Sequence, residues 1–204
     1  MNAAPGEQFE YSNTSYDLLG PPIQTASGKP YEAYIREEIF SPLGMQHSHT
    51  SLEEARMDGL ASGYAAFFGR SLLFDRWMPY ARAVVPSAGL FLSAEDLGRY
   101  LAVHLAEGRL PDGKQMLSPT GMAQLHAPGV QIGEFAAYAM GWTQFQFPQA
   151  APAGGDGASA PLALAHGGDW ANYKALMVLV LPLATSMVWS VRRLRTISGW
   201  DKQD

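Results

Sequence analysis

The chain has 204 residues, enough for one domain with a buried core, and is 47% hydrophobic and 16% charged. This composition is globular and argues against a disordered chain. The formal net charge of −5 provides no basic field, so we expect no nucleic-acid partner, and the absence of cysteine excludes disulfides and thiolate catalysis.

The first residues contain no recognisable targeting signal. Met1-Asn2-Ala3-Ala4-Pro5 has neither the basic start nor the apolar run of a signal peptide. The compartment is therefore unknown, because a longer parent protein could be periplasmic or cytoplasmic. The stretch from Leu176 to Val191 is apolar but contains Pro182 and is shorter than the ~20 residues that a membrane span needs. We therefore expect no membrane partner.

Residues 1–40 are predicted to form part of an α/β region. Apolar residues recur at helical spacing on both sides of a turn at Ser27-Gly28-Lys29-Pro30. Pro21 and Pro22 fall inside the first of the two helices. Because proline costs roughly 3 kcal/mol in a helix interior, the helix should break or kink there.

Residues 41–130 are predicted to be mostly helical. Ser93 has the character of an N-cap, with Asp96 three positions later, and the helix that follows should end at Gly108. A second helix should begin at Ser118-Pro119.

Residues 131–182 have the pattern of a sheet. Alternating aromatic and polar residues predict a strand over 138–147, and apolar runs predict further strands over 162–168 and 175–182. The segment 149–161, rich in Ala, Gly and Pro, is predicted to be a flexible loop. Residues 183–204 form an atypical C-terminal tail.

Two short motifs hold the candidate chemistry. One is Tyr11-Ser12-Asn13 and the other is His166-Gly167-Gly168. Between them lie, in order, Tyr16-Asp17-Leu18-Leu19-Gly20, Ile39-Phe40-Ser41-Pro42-Leu43-Gly44-Met45, Pro86-Ser87-Ala88-Gly89-Leu90, Ser93-Ala94-Glu95-Asp96-Leu97 and Gly141-Trp142. Each segment alone is weak, but the ordered set spans roughly residues 5–182.

This ordered set resembles the serine β-lactamase-like hydrolases, which include class C β-lactamases, penicillin-binding DD-peptidases and related esterases. The resemblance implies an α+β fold, in which an antiparallel sheet is flanked by helices and carries a mostly helical insertion. The family's nucleophile lies in a Ser-x-x-Lys motif, and no serine of these 204 residues is followed three positions later by lysine. We therefore expect the chain to be an incomplete domain that lacks the nucleophile region.

The resemblance assigns catalytic roles to three residues. Tyr11 matches the general base, which needs nearby cations because a phenol has a pKa near 10 in water. Asn13 matches the asparagine that hydrogen-bonds the catalytic lysine and the substrate's amide. His166 matches the cationic or hydrogen-bond-donating residue of the third motif. We expect all three to line one cleft.

Three further residues are candidates for substrate binding. Gly167 and Gly168 fit a strand whose backbone must approach the substrate closely. Asp169 would lie at the mouth of the cleft. His47 and His49 could form a metal pair, but the sequence suggests no third ligand, so we expect no metal and no cofactor.

The predicted activity is hydrolysis of an ester, peptide or β-lactam through an acyl-serine, with a small-molecule or peptide substrate. The isolated chain should be inactive. The alternatives are a non-catalytic truncated or degenerate remnant, a penicillin-recognising binding module, and a chain completed by a separate one that carries the nucleophile. We also expect low solubility, with Val178, Leu179, Val180 and Leu181 as the exposed strand.

Overall fold

The computed structural model describes residues 4, 7–73, 80–146, 162–170, 173–181 and 185–190. Its first part is a run of short helices: α1 Asn13–Asp17, α2 Gly20–Ser27 and α3 Tyr31–Tyr34, which continues as a π-helix over Ile35–Phe40. The predicted break at Pro21-Pro22 is confirmed. Helix α2 begins at Gly20, so both prolines lie in its first turn, where a missing N–H removes no intrahelical hydrogen bond.

The middle of the chain contains short strands as well as helices, and is therefore less helical than predicted. Two small antiparallel ribbons accompany the helices, one joining β1 to β4 and the other joining β2 to β3. In chain order the elements are β1 Ser48–His49, α4 Leu52–Met57, β2 Tyr64–Phe67, β3 Arg70–Leu73, a 3-10 turn at Arg82–Val84, α5 Val85–Ala88, β4 Phe91–Leu92, α6 Ala94–Leu105 and α7 Pro119–His126.

The predicted cap at Ser93 and the predicted helix start at Ser118-Pro119 are both confirmed. The Ser93 hydroxyl accepts a hydrogen bond from the backbone N–H of Asp96 at 3.1 Å. The Ser118 hydroxyl accepts one from Gly121 at 3.0 Å. Each cap satisfies one of the N–H groups that the first turn of a helix leaves without an intrahelical partner.

A buried carboxylate attaches helix α6 to the loop before β1. Asp96 is fully buried and accepts hydrogen bonds from the backbone N–H of His47 at 2.8 Å and from the Ser48 hydroxyl at 2.8 Å. Arg99 pairs with the other carboxylate oxygen at 3.2 Å. Because a buried carboxylate is stable only when its lone pairs are satisfied, this arrangement fixes segments 49 residues apart.

The described residues from Val130 onwards contain one antiparallel sheet of six strands in the order β10-β9-β8-β7-β6-β5, so each strand pairs with the next along the chain. The predicted α+β class with an antiparallel sheet is confirmed. The strands are β5 Val130–Gly133, β6 Ala136–Tyr138, β7 Thr143–Gln146, β8 Leu162–Trp170, β9 Tyr173–Leu181 and β10 Thr185–Ser190.

The strand predicted over 138–147 was wrong in one respect. The chain reverses at residues 139–142, where Gly141 has a φ of +79°, and this turn separates β6 from β7. Alternation of aromatic and polar residues does not reveal a turn within it, whereas glycine permits the positive φ. Residues 147 and 149–161 lie outside the described residues.

The expectation that Val178–Leu181 would be an exposed strand was also wrong. Strand β9 pairs with β8 on one side and β10 on the other, and Leu179 is fully buried. The edge of β9 is paired with β10, which lies within residues 183–204, the segment predicted to be an atypical tail. The register of β10 runs from Thr185 opposite Val180 to Ser190 opposite Ala175.

Helix α6 separates two clusters of buried side chains. Its Val103 belongs to a cluster with the helical first part of the chain, and its Leu101 packs on the sheet. The first cluster contains Phe40, Leu43, Met45, Val103 and Met122, and the second contains Leu101, Ala139, Trp142, Leu164 and Leu179. No helix in the described ranges is long and apolar enough to cross a membrane.

Candidate functional site

The serine of the first motif caps the helix on which the motif lies. Ser12 has extended backbone angles, and its hydroxyl accepts a hydrogen bond from the Ser15 N–H at 3.3 Å. Tyr11 therefore immediately precedes the cap and Asn13 is the first helical residue. Both side chains are exposed, with 57% of Tyr11 accessible. The motif is thus presented to solvent on a capped helix start.

Aromatic contacts attach this segment to the sheet. The rings of Phe9 and Tyr138 lie 4.8 Å apart between centroids. Burial, followed by the neighbouring phenols of Tyr16 and Tyr11, raises the pKa of Tyr138 well above its usual range. Tyr138 is therefore a neutral phenol at physiological pH, held beside the Tyr11 segment. The resemblance did not single out Tyr16 or Tyr138, although both stand within or beside its matching segments.

His166 occupies the second motif on strand β8, opposite Met177 of β9. The side chain is half-buried, and desolvation lowers the pKa of its imidazole, against the opposing effect of a hydrogen bond with the backbone of Gly167. The ring is therefore neutral at pH 7. A neutral imidazole can donate or accept a hydrogen bond but does not supply a fixed positive charge.

The register of the sheet places His166 on the face opposite to Tyr138, the residue that contacts Phe9 near the first motif. Tyr138 lies opposite Thr143, which in turn lies opposite Ala165. His166 is the next residue along β8, so its side chain points to the opposite face of the sheet from Ala165. Within the described residues no hydrogen bond joins Tyr11 or Asn13 to His166. Their position around one cleft therefore stays a prediction.

The two glycines after His166 are not needed by the fold around them. A Cβ added at Gly167 would lie 3.7 Å from the backbone oxygen of Ala175, and one added at Gly168 would lie 3.7 Å from the Ala175 Cβ. Both are ordinary van der Waals distances, and both glycines are exposed. Their backbone is thus open to approach from outside the chain.

Asp169, the third candidate for substrate binding, pairs with Lys174 directly across the β8–β9 ladder. Both side chains are more than 60% exposed, so the ion pair contributes little to stability. The carboxylate has a partner within the sheet, and any role at a cleft mouth would compete with that pair.

The histidine pair near β1 has a partner that the sequence did not suggest. Asp58 Oδ2 lies 2.9 Å from Nδ1 of His47 and 2.8 Å from Nε2 of His49. The hydrogen bond and charge of Asp58 raise the pKa of His47. Among the residues that the structure describes, no group of three or more His, Asp or Glu side chains is arranged to hold a metal ion. The cluster joins the end of α4 to β1.

Two curated proteins are similar to this chain over most of its length. Penicillin-binding protein 4 of Amycolatopsis lactamdurans is 28% identical over 165 residues, which is 78% of this chain and 43% of that protein. Protein flp of Staphylococcus aureus is 33% identical over 148 residues, which is 70% of this chain and 27% of that protein. The chain therefore spans less than half the length of these curated relatives.

Solved structures of two similar proteins also superpose on this chain. The octameric penicillin-binding protein homologue from Pyrococcus abyssi superposes with a TM-score of 0.72 at 26% identity, over 91% of this chain and 39% of that one. A class C beta-lactamase mutant superposes with a TM-score of 0.71 at 19% identity, over 94% of this chain and 57% of that one. The second likeness supports the fold alone.

A sequence model of the family described as Beta-lactamase matches residues 1–196, which extends past the limit near residue 182 expected from the motifs. This match covers nearly the whole chain. The antiparallel sheet and the order of the two motifs agree with it. The chain belongs to the beta-lactamase family.

Proposed function

We propose that this chain carries the Tyr-x-Asn and His-Gly-Gly parts of an acyl-serine hydrolase site, acting on an ester, peptide or β-lactam. The observation that carries the proposal is the exposed pair Gly167 and Gly168 directly after His166. Ordinary contacts would surround a methyl group at either glycine, so the fold supplies no reason for two glycines there. Close approach of a substrate backbone to this strand supplies one.

The roles of the side chains follow from their chemistry. Tyr11, exposed at the start of a capped helix, would take the proton from a serine hydroxyl and return it to the leaving group. Asn13 would donate to the substrate's carbonyl or amide. His166 would stabilise Tyr11 or the substrate by hydrogen bonding.

The neutral state of His166 bears on the substrate class. A phenolate at Tyr11 needs positive charge nearby, and a lysine would provide it at any pH below about 10. Burial lowers the pKa of His166, so this residue does not provide that charge at pH 7. This favours an ester or peptide substrate over efficient β-lactam hydrolysis.

The first test is covalent labelling of the purified chain with a fluorescent penicillin and a fluorophosphonate probe, followed by a denaturing gel. No labelling is expected, because these 204 residues contain no Ser-x-x-Lys motif. Stoichiometric labelling of any serine would contradict this assignment.

The second test restores the missing motif. The upstream part of a relative that contains Ser-x-x-Lys is co-expressed with or fused to this chain, and labelling is measured again. Labelling should then appear and should be lost in Tyr11→Phe. Tyr64→Phe, which removes the hydroxyl of another exposed tyrosine, is the matched control and should leave labelling intact. Labelling that is insensitive to Tyr11→Phe would remove this residue from the site.

The lack of a Ser-x-x-Lys motif favours a second candidate function, a binding module that recognises penicillin-like ligands without reacting. Equilibrium titration of the chain with a fluorescent penicillin distinguishes the two. Saturable binding from which denaturation releases all of the ligand would support the binding module, because the ligand is then not covalently attached. Gly167→Val should weaken this binding.

A further inference from the structure

The ribbon of β2 and β3 ends in an aromatic tip that no other part of the described chain covers. Phe68 is 89% exposed and Phe67 is 58% exposed, and their rings meet edge to face at 4.6 Å. Tyr64, Leu72 and Leu73, further along the same ribbon, are also exposed. Exposed apolar side chains grouped on one small ribbon are typical of a surface that binds a partner.

The apolar side chains lie on both faces of the ribbon. Tyr64 pairs with Leu73, and Phe67 pairs with Arg70, while Leu72 lies two residues from Arg70 on that second face. A groove on another protein would cover one face of a two-stranded ribbon. A layer of apolar molecules that the ribbon enters with its tip first would instead contact both faces and the tip.

The turn carries an aromatic residue where the backbone disfavours one. Phe68 has a φ of +47° and Gly69 has a φ of +73°, the two positive angles of a type I′ hairpin turn. Asn-Gly is the preferred pair in such a turn, whereas a bulky side chain is an outlier there. Phe68 is therefore not explained by the requirements of the turn.

Arg70 gives the tip a charged neighbour suited to phosphate. It is exposed, it lies directly opposite Phe67, and no acidic residue among those described pairs with it. Its aliphatic stem can lie along the aromatic side chains while the guanidinium reaches a lipid phosphate. The formal net charge of −5 opposes approach to an anionic surface, so the apolar tip must carry most of the affinity.

We propose that the β2–β3 tip, with Phe67 and Phe68 at its end and Arg70 beside them, inserts into the interfacial layer of a phospholipid surface. This contact with the lipid surface is peripheral. It differs from a membrane span over residues 176–191, against which the sequence argues. Among the described strands β2 and β3 pair only with each other, so their outer edges have no strand partner there, and such backbone groups cannot enter hydrocarbon. Two tip residues reach about 7 Å, within the ~5–10 Å depth of interfacial contacts.

The test is flotation of the 204-residue chain with vesicles on a density gradient, because aggregated protein sinks and lipid-bound protein rises. One set of vesicles is phosphatidylcholine alone, and the other also contains phosphatidylglycerol. The chain should float with both. Phe68→Asn should lower the partition coefficient roughly tenfold, since it removes the most exposed apolar side chain of the tip.

Phe68→Asn is also safe for folding, because it creates the preferred turn pair and should leave the melting temperature unchanged or raise it. The matched control is Phe135→Asn, the same change at an exposed residue between β5 and β6, which should leave flotation intact. Arg70→Gln should reduce only the extra binding that phosphatidylglycerol provides, by about fivefold.

Three results would overturn the proposal. The first is absence of flotation with both vesicles, and the second is equal loss in Phe68→Asn and Phe135→Asn. The third is a lower melting temperature or a loss of self-association in Phe68→Asn with flotation unchanged, because the tip would then pack within the protein or against a second copy.

Discussion

Nδ1 of His104 lies 2.9 Å from Nε2 of His126, and the two rings stack with their centroids 5.1 Å apart. Trp142 meets the edge of the His104 ring, so the pair lies where α6, α7 and the sheet come together. Only 5% of His104 is exposed. The hydrogen bond requires one ring to donate and the other to accept, so the two rings cannot both be protonated, and burial disfavours a charge on either.

This pair predicts loss of stability in acid. Desolvation, followed by the neighbouring His126, lowers the pKa of His104 to about 4 in the folded chain. The unfolded chain has the ordinary value near 6.5 and binds more protons between these values, so stability falls as the pH drops through that window. The loss should reach about 3 kcal/mol near pH 4. Urea unfolding at pH 7.5, 6, 5 and 4 measures it.

The variant His104→Leu should flatten that dependence. The control is His47→Asn, because Asp58 raises the pKa of this exposed histidine and its contribution to stability is present in acid and lost as the pH rises. His47→Asn should therefore not reduce the loss in acid, and should make it slightly larger, because it removes a contribution that opposes the loss. An equally steep loss in His104→Leu would assign the acid sensitivity to other groups.

Asp96→Ala should destabilise the fold strongly. The substitution leaves the His47 N–H and the Ser48 hydroxyl without their buried acceptor, each at a cost of about 1–3 kcal/mol. Glu95→Gln, at the neighbouring exposed residue that also pairs with Arg99, should change the free energy of unfolding by less than about 0.5 kcal/mol. Similar effects of the two substitutions in urea unfolding would show that Asp96 does not fix the loop.

The turn glycine Gly141 and the strand glycine Gly167 should respond differently to replacement by alanine. Gly141→Ala forces a φ of +79° on a side-chain-bearing residue and should cost about 1–2 kcal/mol. Gly167→Ala meets only an ordinary contact and should leave the melting temperature nearly unchanged. A large drop in melting temperature for Gly167→Ala would give this glycine a structural role and weaken the proposed site.

Ser12→Ala tests whether the cap presents the first motif. Loss of the Ser12 hydroxyl, which accepts from Ser15, should cost about 1 kcal/mol and increase proteolysis near Tyr11. Ser15→Ala, which keeps that N–H, is the matched control and should have a smaller effect. Equal proteolysis of the two variants would show that α1 does not depend on its cap.

The sequence by itself determined the family, the antiparallel sheet, the cap at Ser93, the helix start at Ser118-Pro119 and the break at Pro21-Pro22. Each of these depends on local chemistry: a hydroxyl before a helix, a ring that lacks an N–H, or a short motif in order. Such features act within a few residues, so they can be recognised without knowing what packs against them.

Only the tertiary structure decided which residues meet across the chain. Asp96 reaches His47, Asp58 joins two histidines, and His104 meets His126, because packing of α6 against the sheet and loops brings distant segments together. Sequence spacing carries no record of such contacts. The position of β9 inside the sheet was decided in the same way, because the sequence of an apolar strand has the same pattern whether the strand lies at an edge or beside β10.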